Sequence, residues 1–116
     1  MTNAHTELVR QILITYGQNK NWKLWLNNVG AVKTDNRFVR FGFPGSTDIM
    51  GFDRSGRFIA IEVKTGSGVL RENQVNFKKI CLSYNVQYLE ARCLFDADQF
   101  FKKITDQLAE NPICFS

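Results

Sequence analysis

The chain predicts a single α/β domain, residues 1–116, in which a mixed β-sheet is flanked by helices in the order α-β-β-β-α-β-α. Three observations lead there. Apolar residues recur at helical spacing in three separate segments. Four shorter apolar or alternating runs lie between them, bounded by glycine, aspartate and asparagine. A length of 116 residues holds one real core and leaves no room for a second.

The first helix is expected over 3–16, where Leu8, Val9, Ile12, Leu13 and Tyr16 recur on one face and Gly17 follows as a stop. Trp22, Leu24 and Leu26 alternate with Lys23, Trp25 and Asn27 and predict a strand. Residues 30–44 give no clear pattern. Strands follow at 48–52 and 57–64, joined by the turn Asp53-Arg54-Ser55-Gly56, and Thr65-Gly66-Ser67-Gly68 reads as a loop. A second helix is expected from about Arg71 to Tyr84, with Phe77, Ile80, Cys81 and Tyr84 as its core stripe. Residues 86–92 read as the last strand. A third helix is expected to start at Asp96, which with Gln99 resembles a capping box, and to turn Phe100, Phe101, Ile104 and Leu108 inward. Pro112 ends the regular structure.

Composition narrows the class. With 44% hydrophobic and 22% charged residues the chain is ordinary globular material, and a net charge of +4 suits a polyanionic partner such as nucleic acid. Cys81, Cys93 and Cys114 are odd in number and lack CxxC spacing, so neither a disulfide framework nor a structural zinc site is expected. They read as small core residues in a reducing cytosol. No run has the length of a membrane span, and the first residues lack the pattern of a secretory signal, so a cytoplasmic protein is expected.

The chemistry concentrates in Gly45-Ser46-Thr47-Asp48 and Ile61-Glu62-Val63-Lys64. Glu62 interrupts the most hydrophobic strand of the chain, where a charge costs several kcal/mol unless it is paired or holds a metal. A three-residue loop Arg54-Ser55-Gly56, with Gly56 left-handed in a bulge, pairs Asp53 with Arg57. Five residues further along both strands, Asp48 then stands directly opposite Glu62. Two carboxylates about 4 Å apart repel by about 4 kcal/mol at an effective dielectric near 20. A shared proton, a basic residue or a divalent cation must neutralise them. An all-oxygen site of this kind suits Mg²⁺ or Mn²⁺. Lys64, on the face of Glu62, is placed to stabilise an attacking water or the charge on a phosphate. Gln74 shares a stripe with Phe77 and Cys81 and points to the sheet, where its amide can orient water or contact phosphate. Glu7 lies in line with Ile14, whose apolar side chain hints that this second helix face is covered, and from there Glu7 can reach the site as a further catalytic and metal-binding residue.

Plainer readings stand beside these. Asp48 also reads as a turn residue, Gln74 as a first-turn helix residue, and Glu7 as a solvated one. His5, the only histidine, reads as a surface residue near the start of the first helix. The run Arg37-Phe38-Val39-Arg40-Phe41 reads either as a loop that grips phosphates or as an edge strand with core or dimer contacts. Arg37, Arg40 and Arg71 are the DNA-binding candidates.

Gly45-x-x-Asp48, Glu62-Val63-Lys64 and Gln74 resemble the motifs of the VRR-NUC family, a branch of the PD-(D/E)XK nuclease superfamily. Thr47 stands where the motif proline is usual. The likeness runs from Glu7 through the second helix and the strand after it. It implies a restriction-endonuclease-like core and a DNA endonuclease dependent on Mg²⁺ or Mn²⁺, with the backbone carbonyl of Val63 completing the metal shell. Stand-alone members resemble homodimeric Holliday junction resolvases of phages and microbes, which implies a DNA-associated protein of a prokaryote or phage with branched DNA as the expected substrate. A restriction-type or nicking endonuclease on duplex DNA, and a non-catalytic DNA-binding module on the same scaffold, are the alternatives.

Overall fold

The computed structural model describes residues 3–28 and 30–110. Helix α1 (Ala4–Tyr16) is followed by β1 (Trp22–Leu26), β2 (Gly30–Lys33), β3 (Phe38–Phe41), β4 (Ile49–Asp53), β5 (Phe58–Val63), α2 (Glu72–Ser83), β6 (Gln87–Ala91) and α3 (Leu94–Glu110). Four strands form the main sheet in the order β1-β4-β5-β6. The first two pairings are antiparallel and β5–β6 is parallel, with α2 as the crossover. The fold is therefore α/β with a mixed sheet, as expected. Strands β2 and β3 are an addition: the stretch without a clear pattern folds into a two-stranded sheet of its own.

Sequence chemistry accounts for the ends of α1. The Asn3 side chain accepts the Thr6 N–H at 2.8 Å and caps its start. Gly17 donates to the Leu13 carbonyl at 2.7 Å, and a Cβ there would lie 2.3 Å from that oxygen, so only glycine closes the last turn this tightly. The third helix starts two residues before the expected Asp96. That carboxylate lies inside the first turn and reaches back to accept the Arg92 N–H at 2.9 Å, so no capping box with Gln99 forms.

Helices α1 and α3 cover one face of the sheet and bury Leu8, Val9, Ile12, Phe101 and Ile104 against Ile49, Ile59, Ile61 and Val63. Helix α2 covers part of the other face, with Phe77 and Cys81 on Ala60, Met50, Val86 and Tyr88. Its stripe is narrower than expected, because Ile80 and Tyr84 are exposed and Gln74 is buried in their stead. Cys93 is likewise exposed, against expectation, and Cys114 and Pro112 lie outside the described residues. Trp25, Phe52 and Phe58 also remain exposed, packed edge to face with centroids 5.8 and 6.4 Å apart.

The β4–β5 turn forms as its sequence predicts. Asp53 donates its N–H to the Arg57 carbonyl at 2.9 Å, and Gly56 adopts φ +87°. Buried Asp53 is fully partnered: Oδ1 accepts the N–H groups of Ser55 and Arg57, and Oδ2 accepts Gln87 Nε2 at 3.0 Å. The strands then pair Phe52 with Phe58, Gly51 with Ile59, Met50 with Ala60 and Ile49 with Ile61. This is the register that brings Asp48 to Glu62.

Candidate metal centre

The site forms at the carboxyl end of β5, where the central strand is buried on both faces. Glu62 is only 3% exposed there. Asp48, just ahead of β4, turns its Oδ2 to accept the Val63 N–H at 2.8 Å. This bond extends the strand pairing past Ile49 and fixes the carboxylate over the end of β5.

Two supports hold the segment 45–48 in place. Gly45, at φ +79°, lies against the first turn of α2, where a Cβ would stand 2.2 Å from the Asn73 carbonyl oxygen. The glycine of the Gly45-x-x-Asp48 pattern thus permits a close approach of two backbones. From the other side Asn27 Nδ2 donates to the Ser46 hydroxyl at 2.8 Å and to the Thr47 carbonyl at 2.9 Å, while its N–H donates to the Asp48 carbonyl at 2.8 Å. Asn27 escaped the sequence reading, which took it only for an outward position of an alternating strand. Thr47 is buried and bonds the Ile49 carbonyl through its own hydroxyl.

Asp48, Glu62 and His5 each offer a ligand atom, and these atoms all lie within 4.8 Å of one another. His5 Nε2 stands 3.3 Å from Asp48 Oδ2. Glu62 Oε2 is buried and has no hydrogen-bond partner among the described residues. Burial pushes the Glu62 carboxyl up to about 8, helped by a hydrogen bond to Asp48 and by its charge; Lys64 and Arg71 pull the other way. Glu62 therefore holds its proton to higher pH than a free glutamate, which eases its repulsion with Asp48. Burial, and next the charge of Glu62, also raises the Tyr88 hydroxyl on this face.

Lys64 continues β5, its N–H donating to the Ala91 carbonyl at 3.0 Å, and its ammonium acts on Glu62. Arg71, at the head of α2, brings a second positive charge to bear on the same carboxyl. Gln74 points inward as expected, but its Oε1 accepts the Arg71 N–H at 2.9 Å, so the amide oxygen caps the helix. Glu7 does not join the cluster: it pairs with Arg10 at 3.5 Å, and Ile14 beside it is 68% exposed, so the helix face they share is not covered. From α1 the group that reaches Asp48 is His5, two residues before the acid that was expected. Arg37 is exposed in the β2–β3 turn, where the Thr34 N–H donates to its carbonyl at 2.8 Å. Arg40 lies in β3, and its side chain is outside the described residues.

A cavity of about 540 Å³ opens beside His5 and Asp48, walled mostly by Val9, Leu13, Ile14 and Leu26. None of the helices among the described residues is long and apolar enough to cross a membrane. Comparison with known proteins finds no matching family model, no matching curated protein and no matching solved structure.

Proposed function

We propose that this chain is a divalent-metal-dependent DNA endonuclease of the VRR-NUC type, with a restriction-endonuclease-like core. The observation that carries the reading is the buried Glu62 Oε2, without a hydrogen-bond partner among the described residues, beside the opposed carboxylate of Asp48. A buried carboxylate oxygen in that state is destabilising unless something binds it. Two clustered carboxylates with a lysine on the same strand suit a hard cation next to a phosphate.

Asp48 and Glu62 would hold Mg²⁺ or Mn²⁺, with the Val63 carbonyl as a further oxygen. The ion would polarise the phosphate and render a bound water nucleophilic. The chain's own residues supply the rest. Lys64 offsets the charge that builds on the phosphate during in-line attack, in a site where a charge acts more strongly than in water. Arg71, whose charge also acts on Glu62, would bind the adjacent backbone phosphate. Arg37 and Arg40 belong to a hairpin outside the main sheet and supply sequence-independent contacts to the strand. Cutting both strands of a branched junction requires two such sites, so the reading includes a homodimer.

A panel of linear duplex, single strand, flap, fork and four-way junction, each with Mg²⁺ or Mn²⁺, tests it. Cleavage should require the metal, favour the branched substrates, and fall at least about 100-fold in D48N and E62Q with their circular dichroism unchanged. Undiminished cleavage by either variant refutes the reading.

A further inference from the structure

Resting on the metal-site reading above, we infer that His5 is the third protein ligand of that centre, and that it makes the centre prefer Mn²⁺ to Mg²⁺. The placement carries the argument. His5 Nε2 lies 3.3 Å from Asp48 Oδ2, and two ligands on adjacent corners of an octahedron about 2.1 Å from the ion stand about 3 Å apart. A second sign is Glu62, which completes a group of three residues with ligand atoms within 4.8 Å of one another and whose buried Oε2 has no hydrogen-bond partner among the described residues. Asp48 Oδ2 meanwhile already accepts the Val63 N–H, so the carboxylate is positioned without help from the imidazole.

Ligand chemistry turns this placement into a selectivity. Carboxylate, carbonyl and water oxygens suit Mg²⁺ and Mn²⁺ alike, and Mg²⁺ retains its waters. An imidazole nitrogen gains little with Mg²⁺ and more with first-row transition metals. His5 sits in the first turn of α1, two residues after the Asn3 cap, so the cap fixes the part of the helix that bears it. The mixed nitrogen–oxygen set separates the two ions where Asp48 and Glu62 alone would not.

Calorimetric titration of the full chain with MnCl2 and with MgCl2, for wild type, H5Q and D48N, tests the inference. Echo-detected electron spin resonance of the Mn²⁺ complex gives a second readout, because a directly bound imidazole imposes a nitrogen modulation on the signal. Wild type should bind Mn²⁺ more tightly than Mg²⁺. H5Q should lose at least about tenfold in Mn²⁺ affinity, keep its Mg²⁺ affinity within a few-fold, and lose the nitrogen modulation. Wild-type Mn²⁺ binding that depends on Asp48 but is unchanged in H5Q, or lacks the modulation, overturns the role of His5 and leaves the metal-site reading standing. Equal losses for both ions in H5Q also overturn it, since they mark His5 as a positioning residue for Asp48. Failure of the wild type to bind either ion overturns both.

Discussion

Glu62 shows how one residue links stability to chemistry. Its carboxyl has an ordinary value of 4.5 and is pushed up to about 8, chiefly by burial. Between those values the folded chain keeps a proton that the unfolded chain has released. The contribution of Glu62 to the stability of the fold is therefore fully present below about 4.5 and is lost as the pH rises through about 8. Glutamine cannot titrate. In thermal melts with chelator present, the Tm of wild type should fall between pH 5 and pH 8 by about 5 °C more than that of E62Q. A divalent cation should remove most of the difference by replacing the proton. Equal slopes for the two proteins would show that Glu62 is ionised throughout. His5 illustrates the limit of reading single residues. A lone histidine near a chain start has no pattern to set it apart, and its partner Asp48 is more than forty positions away. Only the packing of α1 on the sheet brings them together.

At the scale of elements, legibility followed local chemistry. Asp53-Arg54-Ser55-Gly56 specifies its own turn, through an aspartate that accepts two N–H groups and a glycine at φ +87°, so the β4–β5 register could be read in advance. The hairpin at 30–41 could not. Among the described residues its strands pair only with each other, and a pair outside the main sheet need not show the alternation of a half-buried strand. The start of α3 was misplaced for a related reason: Asp96 has the composition of a cap but serves from within the first turn. Gly45 occupies an intermediate case. Its residue type suggested a bend, yet the reason for it is a contact with α2. Replacing Gly45 by alanine forces the loop off Asn73 and strains a left-handed φ. It should cost at least about 1 kcal/mol in urea unfolding and lower Mn²⁺ affinity, because Asp48 moves with the loop. Unchanged metal affinity in that variant would show that Asn27 alone anchors the segment.

Over the whole molecule, charge and topology act together. The chain carries +4, and the positive groups near the site, Lys64 and Arg71, face a carboxylate pair that a bound cation would neutralise. On the proposed reading, DNA affinity has a large sequence-independent part that declines with salt. Exposed Arg37 should contribute one phosphate contact. Its replacement by alanine should weaken binding of all DNA substrates alike and reduce the salt slope by about 1, as read by fluorescence anisotropy across a series of salt concentrations. A loss confined to one substrate would make Arg37 a reader of shape. The α/β class was legible because periodicity reports burial, and β5, buried on both faces, announced itself by an almost unbroken apolar run. Contacts between elements, such as Asn27 to the segment 46–48, leave no such periodic trace.

The turn at 54–56 lies at the opposite end of the β4–β5 ladder from the candidate metal centre, yet it acts as the gauge that sets the register of Asp48 and Glu62. Hairpin tips are ordinarily where a protein tolerates extra or missing residues. Here one residue more or less would slip Asp48 past Glu62 by a whole position and send one carboxylate to the far side of the sheet. On the proposed reading, the length of this surface loop matters as much as the identity of the two acids.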